Sequence, residues 1–345
     1  MSVDDESSIG VDGLSDDMIK EAVTALGRGA LVVIPTETVY GLAADVSQIE
    51  AVSQVFSVKS RPLGHPLIVH LSKPTQLDQW AHSISDAAWS LAHHFWPGPL
   101  TLILNRKDSV SSIVTGGQPT VGIRIPNHPK TLKLLQMFSR HSSGAVVAPS
   151  ANRFGKISPT TVNHARDELG DLVDVYLDGG PCQIGIESTI VDVSDSGSNP
   201  RILRPGMISA QDIADVLGVA PAMGPSEGPA IRVSGCLASH YAPATPLKLI
   251  ESQEFHSRLA EWLGALEHTA SPVIAVLGFD RIEMRGVFSI QAEPDPRHYA
   301  RNLYAWLRQL DAVRCRQILV QSPPQTEAWR GICDRLQRAS VAKMT

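Results

Sequence analysis

The sequence predicts a two-domain α/β protein. A larger N-terminal domain is built on a twisted mixed sheet with flanking helices, and a smaller C-terminal domain has Rossmann-like character. Three observations predict it. The chain has 345 residues, which suits two units of roughly 100–200 residues each. Several short apolar runs of strand length are interspersed with helical patterns out of strict alternation, which suits a mixed sheet. Between Val219 and Pro246 the composition turns to Pro and Gly, and a second α/β pattern begins beyond it. Hydrophobic residues at 43% and charged residues at 19% provide for a packed core and argue against wholesale disorder.

The elements follow in order. Residues 1–14 are acidic and Ser/Gly-rich and read as a frayed, flexible N-terminus. Ser15 makes an N-cap, Asp16 and Asp17 suit the positive first turn, and Ile19, Ala22, Val23 and Leu26 repeat on one helical face. Gly27 and Gly29 end that helix. Residues 30–34 are a continuous apolar run, a buried strand that Pro35 stops. Residues 36–42 then lie where a strand end meets a loop, an edge that ligands of α/β proteins favour. Further strands are expected at 67–71, 100–104, 121–125, 145–148, 174–177 and 188–193, and helices at 49–57, 86–94, 129–138 and 161–169. This gives a first domain over 15–218, a linker over 219–246, and a C-terminal domain over 247–345. Long structureless segments tend to be functional or disordered. The C-terminal pattern reads strand 247–250, helix 254–266, strand 273–277, a hairpin or edge strand at 287–290, a helix with Tyr299, Leu303, Trp306, Leu307 and Leu310 on one face, strand 318–321, and a last helix carrying Trp329, Ile332 and Leu336. No Gly-rich turn follows its first strand, so a dinucleotide site there lacks its phosphate cradle.

Charge and motifs exclude several classes. Lys and Arg number 30 against 35 Asp and Glu, a formal charge of −5, which opposes stable autonomous binding of nucleic acid but leaves room for a local basic cleft. The cysteines Cys182, Cys236, Cys315 and Cys333 form no CxxC pair, which argues against structural zinc and reads as free thiols in a reducing cytosol. The longest apolar runs fall far short of the ~20 residues that cross a bilayer, and no charged-then-apolar segment opens the chain as a secretory signal would. Gly155-Lys156 resembles the end of a Walker loop, but Ile157 and Ser150 break the pattern. There is no GxGxxG or HExxH, and no GxSxG elbow at a strand end, the one such string, at 224–228, lying in the Pro/Gly-rich stretch. Phosphate chemistry would need another cradle.

Five segments could build one. Lys59-Ser60-Arg61-Pro62, followed by His65-Pro66 and His70, brings two cations into a proline-stiffened loop; the alternative is a solvated basic loop, with His70 a core histidine. Thr120, Gly122 and Arg124 share one strand face and suit a carboxylate or phosphate; the alternative is an edge strand with a solvent-facing Arg. Ala148-Pro149-Ser150-Ala151-Asn152 and Ser158-Pro159-Thr160 are small residues that let a ligand approach the backbone, or ordinary turn and cap chemistry. Glu187-Ser188-Thr189-Ile190 opens a strand, and Arg204 precedes a turn, either at a site or at the surface. His240-Tyr241-Ala242-Pro243 lies in the linker, functional or incidental.

As an ordered set, Thr36-x-Thr38-Val39-Tyr40-Gly41-Leu42, Lys59-x-Arg61-Pro62, Pro66-Leu67-Ile68-Val69-His70, Pro149-Ser150-Ala151-Asn152 and Glu187-Ser188-Thr189-Ile190 resemble the YrdC/Sua5 family over nearly the whole chain beyond the first dozen or so residues. The His-Tyr-Ala-Pro linker and second α/β domain resemble its two-domain Sua5 branch. The resemblance implies a YrdC-like catalytic domain, a Sua5 C-terminal domain, and L-threonylcarbamoyladenylate synthase activity. Such an enzyme is a cytoplasmic nucleotidyltransferase that joins L-threonine, bicarbonate and ATP, releases pyrophosphate, and supplies a downstream tRNA threonylcarbamoyltransferase that makes t6A at position 37. By the same resemblance, Tyr40, His70, Arg124, Ala148 and Ser188 line the threonine pocket. Lys59, Arg61, His65, Thr120, Ser150, Ser158, Arg204 and Tyr241 contact ATP, with Thr36 and Asn152 as further pocket residues. No protein metal site is implied; Mg²⁺ is expected mainly on phosphates and water. Two departures stand out: His65 replaces an Asn of some members, and Val233-Ser234-Gly235-Cys236 stands where Ser-Pro-Gly-Met is common. An RNA-binding module and a hydrogenase-maturation carbamoyltransferase share the first domain; the charge opposes the former, and the latter would need zinc-finger cysteines.

Overall fold

The structure is a computed structural model and describes residues 9–140, 142–195, 197–224, 231–264 and 274–341. Its larger sheet is mixed. In spatial order the strands run Ala222–Met223, Arg201–Arg204, Thr189–Asp192, Leu100–Arg106, Thr120–Arg124, Ile68–His70, Val146–Val147, Gly41–Asp45, Val32–Ile34 and Val175–Tyr176, with Ala81–His82 added antiparallel to Leu100–Arg106. Thr120–Arg124 pairs antiparallel to one neighbour and parallel to the other. It is therefore a central strand, and the edge-strand alternative for Arg124 fails. Helices Ile49–Lys59, Asp86–Phe95, Pro129–Phe138 and Val162–Leu169 flank the sheet where the sequence expects them.

The second sheet is wholly parallel, in the order Leu247–Ile250, Gln317–Gln321, Ile274–Gly278, Val287–Gln291. Val287–Gln291 is an edge strand and not half of a hairpin. The expected helix end and strand start at residues 265–273 lie outside the described residues. Helices Pro296–Ala312 and Arg330–Ser340 bury Tyr299, Leu303, Leu307, Leu310, Ile332 and Leu336.

Other expectations need correction. The first helix spans Ile9–Gly27, so Ser15 lies inside it and does not cap it. No proline lies between 9 and 15 to stop the hydrogen-bond ladder. Of the frayed segment 1–14, residues 1–8 lie outside the described residues, and the rest is helical. Gly41–Asp45 is a strand where the sequence suggests a loop, and Arg201–Arg204 is a strand before the Pro205 turn. Ser209 and Asp212 form a capping box for a further helix, Ala210–Leu217, which the sequence pattern does not announce. Inside the Pro/Gly-rich segment, Ala222–Met223 pairs with Arg201–Ile202.

One apolar cluster crosses between the two sheets. Val39, Ile157, Ile186 and Tyr241 pack in the same core as Tyr299, Leu303, Ile332 and Leu336. Contact there is close enough to require missing side chains. A Cβ on Gly185 would lie 2.4 Å from the Ala300 carbonyl oxygen, and one on Gly331 would lie 2.9 Å from that of Gly206.

Candidate active site

Lys59 ends the Ile49–Lys59 helix, and Ser60 follows in the left-handed region at φ 52°. The Ser60 and Arg61 N–H groups return to Ser57 and Phe56 carbonyls, a helix stop that reverses the chain and sets Lys59 and Arg61 side by side. Neither is solvated: Lys59 is 1% exposed and Arg61 6%. Lys59 Nζ donates to the carbonyls of Ser150 and Asn152, the latter at 2.5 Å. Burial and the Arg61 charge push its pKa well below the usual lysine value. Arg61 Nη2 donates to Pro66 O at 2.9 Å and Ser234 Oγ at 3.0 Å, and its guanidinium lies over the Phe154 ring at 5.6 Å. Its Nε is buried without a hydrogen-bond partner. Burial, aided by Arg204, lowers Arg61 to about 10.

Arg204 approaches from the end of its strand. It donates twice to Ser188 O, at 2.9 and 3.2 Å, to Ser188 Oγ at 3.1 Å, and to Ser234 O at 2.7 Å. Ser188 Oγ also meets Thr101 Oγ1 at 2.8 Å. Beside it Glu187 accepts from Ser158 Oγ at 2.6 Å, Arg335 Nε at 2.8 Å and Tyr304 Oη at 2.9 Å. Burial would raise this carboxyl, but Arg335 and Arg204 hold it at about 2. Lys59, Arg61, Ser150, Asn152, Arg204 and Tyr241 thus line one cavity, joined by Phe154, Glu187, Ser234, Gly235 and His240. Thr120 lines a neighbouring pocket that shares Ser234. His65 packs its ring on Phe154, centroids 5.2 Å apart.

A second group lies around Arg124. Thr36 Oγ1 receives the N–H groups of Thr38 and Val39 and donates to Val39 O at 2.6 Å, a local turn that folds the 36–39 loop. Arg124 Nη1 donates to Thr38 Oγ1 at 2.9 Å, and Nη2 lies 2.7 Å from Glu37 Oε1. That ion pair is misaligned for a hydrogen bond, so both Glu37 oxygens keep free accepting capacity. His70 stands in register with Arg124 across the parallel pair. Burial, then the Arg124 charge, lowers it to about 3, so it is neutral at physiological pH. Ala148 faces Gly41, where an added Cβ would lie 3.1 Å from the Ala148 methyl. Tyr40 is fully buried; its hydroxyl donates to Gly180 O at 2.7 Å and accepts from Gly179 N.

The linker closes the first cavity. Tyr241 takes φ 60°, uncommon for a bulky side chain, and stacks on Tyr304 at 5.8 Å with Arg335 5.4 Å from its ring centre. Ala242 N donates to Gly155 O, and the N–H groups of Ala244 and Thr245 both reach the Asp311 carboxylate. The space left inside admits little more than a water molecule. The solvated-loop and surface-Arg alternatives fail on burial, and the linker's Tyr241 is buried as well. In the sequence, Glu187, Ser234 and His240 stand out only as neighbours within motifs. Arg335 and Tyr304 carry no sequence signal, since they lie more than a hundred residues from the groups they serve.

A family model described as "Telomere recombination" matches residues 24–206, and one described as "Threonylcarbamoyl-AMP synthase, C-terminal domain" matches 208–341. A Pyrococcus abyssi protein named threonylcarbamoyl-AMP synthase is 33% identical over 327 residues, 93% of this chain and 94% of its own. A Bacillus subtilis protein of the same name is 35% identical, covering 96% and 95%. The crystal structure of P. abyssi Sua5 complexed with L-threonine matches with a TM-score of 0.81 at 31% identity, over 93% of this chain and 94% of that one.

Proposed function

Given that the chain belongs to the Sua5/YrdC family of threonylcarbamoyl-AMP synthases, we propose which of its residues carry the reaction and how. It is a nucleotidyltransferase that makes threonylcarbamoyl-AMP and pyrophosphate from L-threonine, bicarbonate and ATP for t6A37 synthesis. One observation carries the site assignment: Lys59 and Arg61 from one segment and Arg204 from another far along the chain are buried around one cavity under Tyr241.

In this reading Lys59, Arg61 and Arg204 neutralise the triphosphate, Ser150, Ser158, Asn152, Thr120 and His65 complete the nucleotide contacts, and Tyr241 covers it. Arg124 holds the threonine carboxylate or carbamate, with Thr36, Tyr40, His70, Ala148 and Ser188 around it. The threonine amine adds to CO₂ with loss of a proton, or to bicarbonate with loss of water, giving a carbamate. A carbamate oxygen attacks the α-phosphorus and the β–γ pyrophosphate leaves. Positioning and charge neutralisation supply the rate, without a covalent enzyme intermediate. Closure of the strap keeps labile intermediates from water. Mg²⁺ would be held by the phosphates and water, where it would help neutralise their charge; Glu187, the carboxylate of the cradle, already takes hydrogen bonds from Ser158, Tyr304 and Arg335. We also propose a catalytic domain over 15–218, a lid over 219–246, a C-terminal domain over 247–345, a cytoplasmic location, and product delivery to a tRNA threonylcarbamoyltransferase. Among the described residues no helix is long and apolar enough to cross a membrane.

The test is pyrophosphate release from ATP with threonine and bicarbonate omitted in turn and serine substituted for threonine. Release that ignores both omissions would remove the assignment.

A further inference from the structure

A carboxylate is an odd neighbour for a triphosphate. Glu187 lines the same cavity as Lys59, Arg61 and Arg204, and left alone it would oppose the phosphates those cations attract. It is not left alone. Arg335, 0% exposed, comes from helix Arg330–Ser340 of the C-terminal domain and places Nε 2.8 Å from Glu187 Oε2. Tyr304, from helix Pro296–Ala312, donates to the same oxygen.

Arg335 does more than cancel one charge. Its Nη2 donates to Glu187 O at 3.2 Å and its Nη1 to Pro205 O at 2.8 Å. Glu187 precedes Ser188, and Pro205 follows Arg204. One guanidinium therefore clasps the two backbone segments that carry a serine and an arginine of the site, which are themselves joined through Arg204 and Ser188 O. Asp334 Oδ2 at 2.7 Å fixes the guanidinium on its outer side. The guanidinium also lies against the Tyr241 ring, so the strap rests on the same group.

We propose that Arg335 is a positioning residue for the nucleotide, by which the C-terminal domain completes a cradle built in the N-terminal domain. The inference rests on the assignment of that cavity to ATP. It gives the second domain a defined role, which is to supply the counter-charge of Glu187 and to hold Ser188 and Arg204 in place.

Affinity for ATP is measured directly by calorimetry without threonine, so it is read independently of turnover. Arg335→Met is expected to weaken ATP binding about tenfold and threonine binding several-fold less, since the clasp holds Ser188 of the threonine pocket only through its backbone. Arg335→Lys should restore part of the loss. Glu187→Gln combined with Arg335→Met should bind ATP more tightly than Arg335→Met alone, because the unpaired carboxylate is gone. Lowering the pH from 8 to 5 should narrow the gap between Arg335→Met and the parent protein. Glu187 would then titrate in the variant, among Lys59, Arg204, His240, Tyr241, Tyr304 and Ser158, but stay ionised in the parent. A merely structural role would move none of these ratios. Arg335→Met with parental ATP affinity and an intact melting transition overturns the proposal. Should that variant not fold, Tyr304→Phe removes one donor to Glu187, and unchanged ATP affinity there overturns it equally. A parent protein that binds ATP but releases no pyrophosphate with threonine and bicarbonate would overturn the functional reading instead, and the affinity ratios would still decide the role of Arg335.

Discussion

Lys59 and Arg61 donate to carbonyl and hydroxyl oxygens, so their charges remain available to an anion at the cost of desolvation. Lys59→Ala and Arg61→Ala are each expected to abolish pyrophosphate release, by about a hundredfold or more. Circular dichroism should show the fold retained; turnover like that of the parent would remove the phosphate role. Acid sensitivity also belongs to this scale. His70 and His240 are held at about 3 and Glu187 at about 2, each below its ordinary value. In each case the unfolded chain binds more protons than the folded one between the two values. Stability contributed by neutral His70 and His240 is present above about 6.5 and is lost as pH falls toward 3; that of Glu187 is present above about 4.5 and is lost toward 2. Melting temperature followed from pH 8 to 4 should therefore decline from about pH 6.5 downward. A flat profile between pH 7 and 5 would contradict the buried neutral imidazoles.

The strap of residues 231–246 is held by hydrogen bonds at Arg232, Ser234 and Ala242, by the buried Val233 and Tyr241, and by Asp311, whose carboxylate takes two backbone N–H groups. Asp311→Ala should speed nucleotide release several-fold, and Tyr241→Ala should weaken ATP retention more than threonine recognition, both read by stopped-flow displacement. Equal off-rates in Asp311→Ala and parent would show that this anchor does not hold the strap. The strap also marks what the sequence could tell. Strands with short apolar runs or alternation, such as Leu100–Arg106 and Thr120–Arg124, and helices with a sharp start, such as Pro129–Phe138, were legible because periodicity and proline placement specify them locally. Gly41–Asp45 was not, since a Gly-Leu-Ala-Ala-Asp run lacks β-branched residues and becomes a strand only through its neighbours. Most site residues lay in recognisable segments. The Arg335–Glu187 contact joins positions 148 residues apart, and no local pattern encodes such a pairing.

At the scale of the molecule, the shared apolar core and the close approaches at Gly185 and Gly331 make the two sheets one mechanical body. Gly331→Val should force the last helix off Gly206. It should lower the melting temperature by several degrees, by about 1–3 kcal/mol, and weaken ATP binding although position 331 lines no part of the cavity. Undiminished ATP affinity in a folded Gly331→Val protein would uncouple the halves. The closed strap has a practical corollary for crystallography. With space inside for little more than a water molecule, crystals grown from ligand-free protein in this form should resist soaking or crack when nucleotide is added. Complexes would have to be assembled in solution before the lattice forms.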